Sequence, residues 1–467
     1  MRKNDFLYLK TEKMINNGFC LARYNGKIVL VNKCLPEEEV LAKIVKVRRD
    51  YIEAEAIEII ESSKYRIEPK CKYFGLCGGC KLQDILYEKQ LEIKKEFVND
   101  DFIRIGKIQD VEIPLPIPSK HDYFYRNKME YSFGKRWLFT NSEYNEQEKK
   151  FALGLHIPGQ FEKVIHLDKC YLQSEFSNNI RNYIGDYLFE RGVKIHSLKE
   201  REGLLKALVV RESYHTQEKM INLITTKYDE NLMVNLANKI KAKFPEVTTF
   251  VNSISDSKIS STISNESIVV FGKGYIIEKL FGYEFEIYPN TFFQTNTPQA
   301  ENLFSLIRND LSKDTAKNSS SNRILIDLYS GVGVLCIILS EFFDKVLCFE
   351  EVEQSIISAK RNAQRNNVKN IKFIKQNLLD GFELDESFFN KKKVIIIDPP
   401  RAGLSKNVIQ QIKTLKPVKI YYISCNPATQ ARDIAYLIEH YKISAVQPVD
   451  MFPQTYHIEN FIILEKK

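Results

Sequence analysis

The spacing of hydrophobic and polar positions divides the chain into three stretches. The first, residues 1–62, contains short runs rich in Val and Ile, which are separated by turn-like polar segments. The clearest runs are KIVLVNK, EVLAKIVKV and YIEAEAIEII. Runs of this length and composition predict β-strands, and several of them in so short a stretch predict a small barrel. Its basic edge would be formed by Lys43, Lys46, Arg48 and Arg49.

The second stretch has a mixed pattern. A polar helix is predicted at about 84–98, and residues 123–280 alternate strand-like runs such as KALVVRES and MINLITTK with helical ones. The Ser-rich interval 252–267 predicts a surface loop. A second polar interval, 312–323, predicts a linker to the next unit.

From residue 323 onward, apolar runs alternate regularly with helical segments. The runs include RILIDLYSG, KVLCFEE, IKFIKQN, KVIIIDPP and KIYYISCNP, and SIISAKRNAQRNN and ATQARDIAYLIEH are helical segments between them. Alternation of this kind predicts an α/β domain, doubly wound around a mostly parallel, Rossmann-like sheet.

Length and charge narrow the class of protein. The 467 residues suggest two or three domains, and 44% hydrophobic with 27% charged residues is typical of a globular protein. Neither a secretion signal nor a run of about 20 apolar residues is present, so we expect a cytoplasmic protein without a membrane partner. The net charge of +8 fits a nucleic-acid partner or a merely basic surface. We expect a monomer.

The carboxyl ends of the predicted parallel strands carry the residues that could bind a cofactor, because ligands of such sheets sit there. The first strand leads into DLYSGVG, where Gly331 and Gly333 allow a tight turn and close backbone approach. The second ends at Glu350, an acidic side chain that could hold a ribose, and the third at Asn377, which could bond an adenine edge. This indicates an adenosine-bearing cofactor. The alternative is a glycine turn beside a solvated glutamate.

The next strand ends carry reactive groups. Asp398 precedes two prolines, and Cys425 lies in a Pro-stiffened turn before a helix, where a thiolate is stabilised and nucleophilic. Further on, DMFPQTYHIE supplies a carboxylate that could act as a general base. A thiolate that adds to carbon 6 of uracil makes carbon 5 able to attack an electrophilic methyl group. A base then removes the carbon 5 proton. For Cys425 alone, a small buried hydrophobe is the competing interpretation.

These motifs resemble those of the RNA uracil-C5 methyltransferase family. They run in order through FQTN, DLYSGVG, DPPRAGL, SCNPATQARD and DMFPQTYHIE. The resemblance implies a class I methyltransferase fold, Cys425 as nucleophile and Glu459 as proton acceptor. It also implies an S-adenosylmethionine site. Its residues would be Gln294, Tyr329, Gly331, Glu350, Asn377 and Asp398.

The resemblance extends upstream. Residues 1–62 look like a TRAM domain, an OB-like RNA-binding barrel, and the cysteines are similar to the [4Fe–4S] ligands of the ribosomal-RNA branch. Those cysteines are Cys71, Cys77, Cys80 and Cys170. Four thiolates also fit zinc, although zinc favours two close pairs, and Cys170 could be a buried thiol instead.

The domain boundaries follow from these assignments. We predict a TRAM barrel at 1–62, a central α+β domain with the iron–sulfur cluster at 63–280, and the methyltransferase domain at 281–467. Part of 91–123 could pack with the methyltransferase domain instead of the central domain.

The predicted substrate is RNA, and 23S ribosomal RNA is favoured because the transfer-RNA branch is taken to lack both the barrel and the cysteines. Three alternatives compete with this reading. They are a transfer-RNA uridine methyltransferase, a non-catalytic RNA-binding iron–sulfur protein, and a small-molecule methyltransferase. Intact Cys425 and Glu459 argue against the second, and the basic barrel against the third.

Overall fold

The computed structural model of the protein describes residues 1–137, 146–197, 199–256, 264, 266–317, 322–385, 388 and 390–467. The backbone packs into two compact units. We call them the barrel unit, comprising Met1–Asp122, Ser424–Tyr436 and Ala445–Phe461, and the sheet unit, comprising Tyr123–Ile423, Leu437–Ser444 and Ile462–Lys467.

The barrel unit begins with a closed five-stranded barrel in the order β1-β2-β3-β5-β4, which confirms the predicted fold of this stretch. Its strands are β1 (Phe6–Met14), β2 (Cys20–Tyr24), β3 (Lys27–Asn32), β4 (Glu39–Val47) and β5 (Tyr51–Glu61). Every second residue along a strand points inward. In β4, Val40, Ala42 and Ile44 are therefore buried.

Helix α1 (Tyr87–Asp101) follows the barrel and continues into a π-helical turn, Phe102–Gly106. It begins three residues later than the sequence pattern predicts. The buried positions recur at helical spacing, which gives the helix one inward face. They are Gln90, Ile93, Lys94, Phe97 and Val98. Two of these five side chains, Gln90 and Lys94, are polar, so this buried face makes hydrogen bonds as well as apolar contacts.

The sheet unit contains a seven-stranded sheet in the order β12-β11-β10-β9-β6-β7-β8. Its strands are β6 (Lys128–Arg136), β7 (Ala152–Ile157), β8 (Gln160–His166), β9 (Leu205–Glu212), β10 (Lys219–Thr225), β11 (Val247–Ile254) and β12 (Glu266–Phe271). Its helices are α2 (Glu146–Lys149), α3 (Glu175–Glu190) and α4 (Glu230–Lys243). Of the predicted Ser-rich loop, 252–254 and 266–267 belong to β11 and β12, and 257–263 and 265 lie outside the described residues.

A hairpin of β13 (Ile276–Leu280) and β14 (Tyr283–Ile287) precedes helix α5 (Thr297–Lys317). The predicted linker at 312–323 is therefore wrong for 312–317, which are helical. Ser312 and Lys313 are exposed on this helix, whereas Leu311 beside them is completely buried. Residues 318–321 lie outside the described part.

The last sheet has the order β17-β16-β15-β18-β19-β21-β20, and β15 to β19 are parallel, as the doubly wound prediction requires. Its strands are β15 (Arg323–Leu328), β16 (Lys345–Glu350), β17 (Ile371–Lys375), β18 (Lys392–Ile397), β19 (Lys419–Ser424), β20 (Tyr441–Val449) and β21 (Glu459–Lys466). Its helices are α6 (Val334–Leu339), α7 (Glu353–Arg365), α8 (Lys406–Leu415) and α9 (Pro427–Leu437). A search of the described residues finds no helix with the length and apolarity that membrane crossing requires.

Candidate active site

The glycine loop after β15 provides a backbone surface that a ligand could approach. Tyr329 and Gly331 have φ values of 68° and 54°, in the left-handed region. A Cβ placed on Gly331 would meet nothing within 4 Å, whereas one on Gly333 would lie 3.2 Å from the Cβ of Ala359. Gly331 therefore leaves open space beside the loop, and Gly333 lets the loop pack closely against α7.

Glu350 ends β16, as predicted, and is fixed by two backbone N–H groups. Its Oε2 accepts a hydrogen bond from Gly331 N at 2.9 Å, and its Oε1 accepts one from Val352 N at 2.9 Å. Each carboxylate oxygen has a further lone pair. Glu350 can therefore also accept hydrogen bonds from two hydroxyl groups, such as those of a ribose.

Asn377 and Asp398 lie at the ends of the neighbouring strands. Asn377 lies two residues beyond β17, and its Oδ1 accepts a hydrogen bond from Leu379 N at 2.9 Å. Asp398 directly follows β18, and burial raises the pKa of its carboxyl to about 7. Near neutral pH this carboxyl can therefore donate or accept a proton in a polar contact.

Gln294 comes from a different segment of the sheet unit, just before α5. Its backbone is fixed because Asn127 Nδ2 donates to the Gln294 carbonyl at 2.9 Å and to Thr297 Oγ1 at 2.9 Å. Asn127 N also donates to the Thr295 carbonyl at 2.8 Å. The FQTN motif is therefore held to the segment that leads into β6, a contact that no local pattern predicts.

Cys425 lies in the turn between β19 and α9. Ser424 Oγ accepts a hydrogen bond from Asn426 N at 3.1 Å, and Gln430 N and Thr429 Oγ1 donate to the Asn426 carbonyl. Pro427 is the first residue of α9, where its missing N–H costs no helical bond. The turn presents a partly exposed thiol just before a helix N-terminus, a setting that favours the thiolate.

Glu459 is the first residue of β21 and is 5% exposed. Lys466 N, at the other end of β21, donates to the carbonyl of Val418, which precedes β19. β19 and β21 are neighbouring strands, and this bond joins the start of β19 to the end of β21, so the two run in opposite directions. Glu459 therefore lies at the end of the strand pair where Cys425 follows β19.

Residues 450–458, which we call the base loop, lead into Glu459 and are anchored on α1. Asp450 Oδ1 pairs with Lys94 Nζ at 2.5 Å, and both side chains are completely buried. Asp450 Oδ2 accepts a hydrogen bond from the Tyr87 hydroxyl at 2.8 Å, and Lys94 Nζ also donates to the Phe452 carbonyl at 3.1 Å. Burial lowers the pKa of Lys94, and Asp450 offsets part of that shift.

Gln454, in the middle of the base loop, is held by α1 and by the segment that directly follows Cys80. Gln90 Nε2 donates to Gln454 Oε1 at 3.0 Å, and Gln454 N donates to Gln90 Oε1 at 3.1 Å. Lys81 N and Leu82 N donate to the Gln454 carbonyl at 2.9 and 3.1 Å. Gln454 has a φ of 67°, so this bracing holds a backbone conformation that is otherwise unfavourable. Sequence reasoning missed the roles of Lys94, Gln90 and Gln454.

Cys71, Cys77 and Cys80 lie in an irregular loop of the barrel unit, and all three are partly exposed. Cys77 Sγ accepts a hydrogen bond from Gly79 N at 3.4 Å. Backbone N–H groups directed at sulfur stabilise thiolates that bind metals. The loop therefore suits soft thiolate ligation.

Cys170 belongs to the sheet unit and is 8% exposed. The Asn178 side chain holds the backbone of Cys170. Cys170 N donates to Asn178 Oδ1 at 2.7 Å, and Asn178 Nδ2 donates to the Cys170 carbonyl at 3.0 Å. Burial raises the pKa of the Cys170 thiol, while hydrogen bonds from the Leu172 and Gln173 backbone oppose this shift.

A buried group that the sequence did not single out lies under the glycine loop. One ligand atom each of Asp327, Cys336 and Cys348 lies within 4.8 Å of the others, and the Cys336 thiol donates to Asp327 Oδ2 at 3.0 Å. Burial raises the pKa of Asp327 to about 7 and raises the pKa of both thiols. The hydrogen bond between thiol and carboxylate makes these residues part of the buried polar core of the domain.

Comparison with known proteins identifies the class. The sequence model of the TRAM domain matches residues 9–57, and that of the tRNA (uracil-5-)-methyltransferases matches residues 195–467, more than half of the chain. The fold and these matches define an RNA methyltransferase. In particular, the chain belongs to the tRNA (uracil-5-)-methyltransferase family.

Relatives match over almost the whole length. An "uncharacterized RNA methyltransferase" of Bacteroides thetaiotaomicron is 39% identical over 97% of this chain and 100% of its own. One of Chlorobaculum tepidum is 35% identical over 100% of this chain and 97% of its own. The solved structure of Pyrococcus abyssi tRNA (uracil-54, C5)-methyltransferase with S-adenosyl-L-homocysteine covers 98% of this chain and 100% of its own, with a TM-score of 0.73 and 26% identity.

The Pyrococcus match bears on the choice of RNA. At 98% coverage it includes the barrel, although that protein is named as a tRNA enzyme. The barrel therefore does not separate enzymes of ribosomal RNA from enzymes of transfer RNA. The expectation that the transfer-RNA branch lacks the barrel is wrong.

Proposed function

We propose that the protein transfers a methyl group from S-adenosylmethionine to carbon 5 of a uridine in 23S ribosomal RNA. The observation that carries the chemistry is the placement of Cys425 and Glu459 at the same end of the strands β19 and β21. One is a nucleophile and the other a base, which are the two groups that the reaction requires.

Each group has a defined role in the proposed reaction. The Cys425 thiolate adds to carbon 6, and the new S–C bond gives carbon 5 enolate character. Carbon 5 attacks the electrophilic methyl group of S-adenosylmethionine, and the sulfur–methyl bond breaks to leave S-adenosylhomocysteine. Glu459 then removes the carbon 5 proton, and elimination breaks the S–C bond, restores the ring double bond and frees the thiolate.

The proposed cofactor site uses the edge of the sheet unit. The open space beside Gly331 lets the cofactor approach the backbone, and the Glu350 carboxylate accepts hydrogen bonds from the ribose hydroxyls with its remaining lone pairs. Asn377 contacts the adenine edge. Gln294, Tyr329 and Asp398 complete the site in the proposal.

Substitution of the two groups separates their steps. Cys425→Ala should abolish covalent capture of RNA, because no other group forms the bond to carbon 6. Glu459→Gln keeps the shape but cannot take the proton, so we expect the methylated adduct to accumulate, with release slowed about 10²–10⁴-fold. RNA containing 5-fluorouridine should trap the wild-type protein as well. Denaturing gels and mass spectrometry measure these adducts. A Cys425→Ala protein that still crosslinks, or a Glu459→Gln protein that turns over normally, contradicts the assignment.

A transfer-RNA uridine is the second candidate, and the Pyrococcus match favours it. Labelled methyl transfer to separate transcripts of 23S ribosomal RNA fragments and of transfer RNAs distinguishes the two. We expect label in a ribosomal fragment. Label in transfer RNA alone would mean that the substrate is a transfer RNA, while the proposed reaction at carbon 5 of uridine would still hold.

We also propose that Cys71, Cys77, Cys80 and Cys170 hold a [4Fe–4S] cluster. The support is the grouping of three cysteines in one short loop and the backbone N–H group that donates to the sulfur of Cys77. Protein purified without oxygen should contain about four iron atoms per chain, and Cys77→Ser should lower that content. Stoichiometric zinc without iron would refute the choice of metal.

A further inference from the structure

A pair of buried amides joins the helix that follows Cys425 to the strand that begins with Glu459. Gln430, in the first turn of α9, donates from Nε2 to the Asn460 carbonyl at 3.1 Å. In return, Asn460 Nδ2 donates to Gln430 Oε1 at 2.8 Å. Both residues are completely buried, so water does not compete for these bonds.

The pair lies close to both reactive residues along the chain. Asn460 is the immediate neighbour of Glu459, and side chains of adjacent strand residues point to opposite faces. Gln430 N donates to the Asn426 carbonyl, and Asn426 directly follows Cys425. The amide pair therefore connects the helix that bonds to Asn426, next to Cys425, with Asn460, the residue next to Glu459.

Stability alone does not explain these two side chains. Asn460 Oδ1 is buried and has no hydrogen-bond partner among the described residues. An unpaired buried acceptor of this kind costs about 1–3 kcal/mol. An apolar pair of similar size would avoid that cost, so the amides have a value other than packing.

We infer that Gln430 and Asn460 are positioning residues that fix the Glu459 carboxylate relative to the Cys425 thiol. The inference rests on the proposed function, in which the thiol stays bonded to carbon 6 while Glu459 removes the proton from carbon 5. These two ring atoms are adjacent, so the two side chains must hold a narrow relative position. A misplacement of about 1 Å can cost about 100-fold in rate.

The variant Gln430→Leu tests the inference, because leucine fills the space without hydrogen bonding. Formation of the adduct with 5-fluorouridine RNA should proceed at nearly the wild-type rate, since the thiol remains in place. Release of product from natural RNA should slow about 10–100-fold, and the methylated adduct should accumulate, as for Glu459→Gln. Equal slowing of both steps, or release at the wild-type rate, would overturn the inference.

Asn460→Leu removes the other side chain of the same pair and is the variant to measure if Gln430→Leu does not fold. If both residues act through the pair, the double variant should release product no more slowly than the slower single variant. Effects that multiply would mean that the two act separately, which contradicts the inference.

Asn252→Leu is the matched control. Asn252 is also completely buried, and its Nδ2 donates to the Leu223 carbonyl at 2.7 Å and to Thr225 Oγ1 at 2.9 Å. Its loss should lower stability without accumulation of adduct. Accumulation in this control would mean that a merely structural defect produces the signature. A wild-type protein that forms no adduct would instead refute the proposed function itself.

Discussion

The acidic residues Glu350 and Asp398 stand at the carboxyl ends of two parallel strands of the last sheet. Glu350 and Asp398 could be placed because parallel strands bring their carboxyl ends to one edge of a sheet. The hydrogen bond from Gly331 N to Glu350 depends on two loops from different strands, and a linear pattern does not contain it. Burial could not be predicted either. The burial that raises the pKa of Asp327 to about 7 is produced by the whole domain.

The buried Asp327 should make stability depend on pH. Between its ordinary pKa of 3.8 and about 7, the folded protein keeps a proton that the unfolded chain has lost. Stability should therefore fall as pH rises through this window, by up to about 1.4 kcal/mol per pH unit for each such group. Asp327→Asn keeps an acceptor for the Cys336 thiol and cannot titrate. We expect a smaller loss of unfolding free energy between pH 4 and pH 7, measured with urea.

Asp398 contributes with the same sign, so the slope should decrease in Asp327→Asn without vanishing. The exposed Asp110 serves as the control, and Asp110→Asn should leave the wild-type slope unchanged. An Asp327→Asn protein with the same slope as wild type would contradict the assignment.

At the scale of elements, periodicity predicted helix α1 to within three residues of its start, but not the reason for its polar face. Lys94 and Gln90 pair with Asp450 and Gln454, which lie 356 and 364 residues away along the chain. No local pattern carries a contact of that separation. The predicted linker at 312–323 failed for a related reason, because polar composition alone does not distinguish a loop from the solvent face of a helix.

Removal of one partner of the buried pair should destabilise the fold. Lys94→Met leaves the Asp450 carboxylate buried without its cation, and we expect a loss of about 3–5 kcal/mol in the free energy of unfolding. The double variant Lys94→Met, Asp450→Asn should recover most of this loss, because a neutral amide can still accept from the Tyr87 hydroxyl.

The exposed pair of Lys375 and Glu353 is the matched control, with a distance of 2.9 Å and side chains 60% and 57% exposed. Lys375→Met should cost less than about 1 kcal/mol. If Lys94→Met costs no more than this control, the Lys94–Asp450 pair does not anchor the base loop.

At the scale of the whole molecule, the order of the modules was predictable, because each has its own pattern. Short Val- and Ile-rich runs predicted the barrel, and alternating strands and helices predicted the parallel sheet. The kind of RNA was not predictable from these modules. Barrels of this kind contact RNA largely through charge and shape, which ribosomal and transfer RNA share, and the match to a tRNA enzyme covers the barrel too.

Mapping of 5-methyluridine in the RNA of a strain that lacks this protein would show whether the protein methylates a uridine of 23S ribosomal RNA. Mass spectrometry of ribosomal and transfer RNA should show that 5-methyluridine disappears from a position in 23S ribosomal RNA. The wild-type gene should restore it, and a gene encoding Cys425→Ala should not. Unchanged 5-methyluridine in every RNA, or loss of a methyl group only from ribose or from another base, would contradict the account.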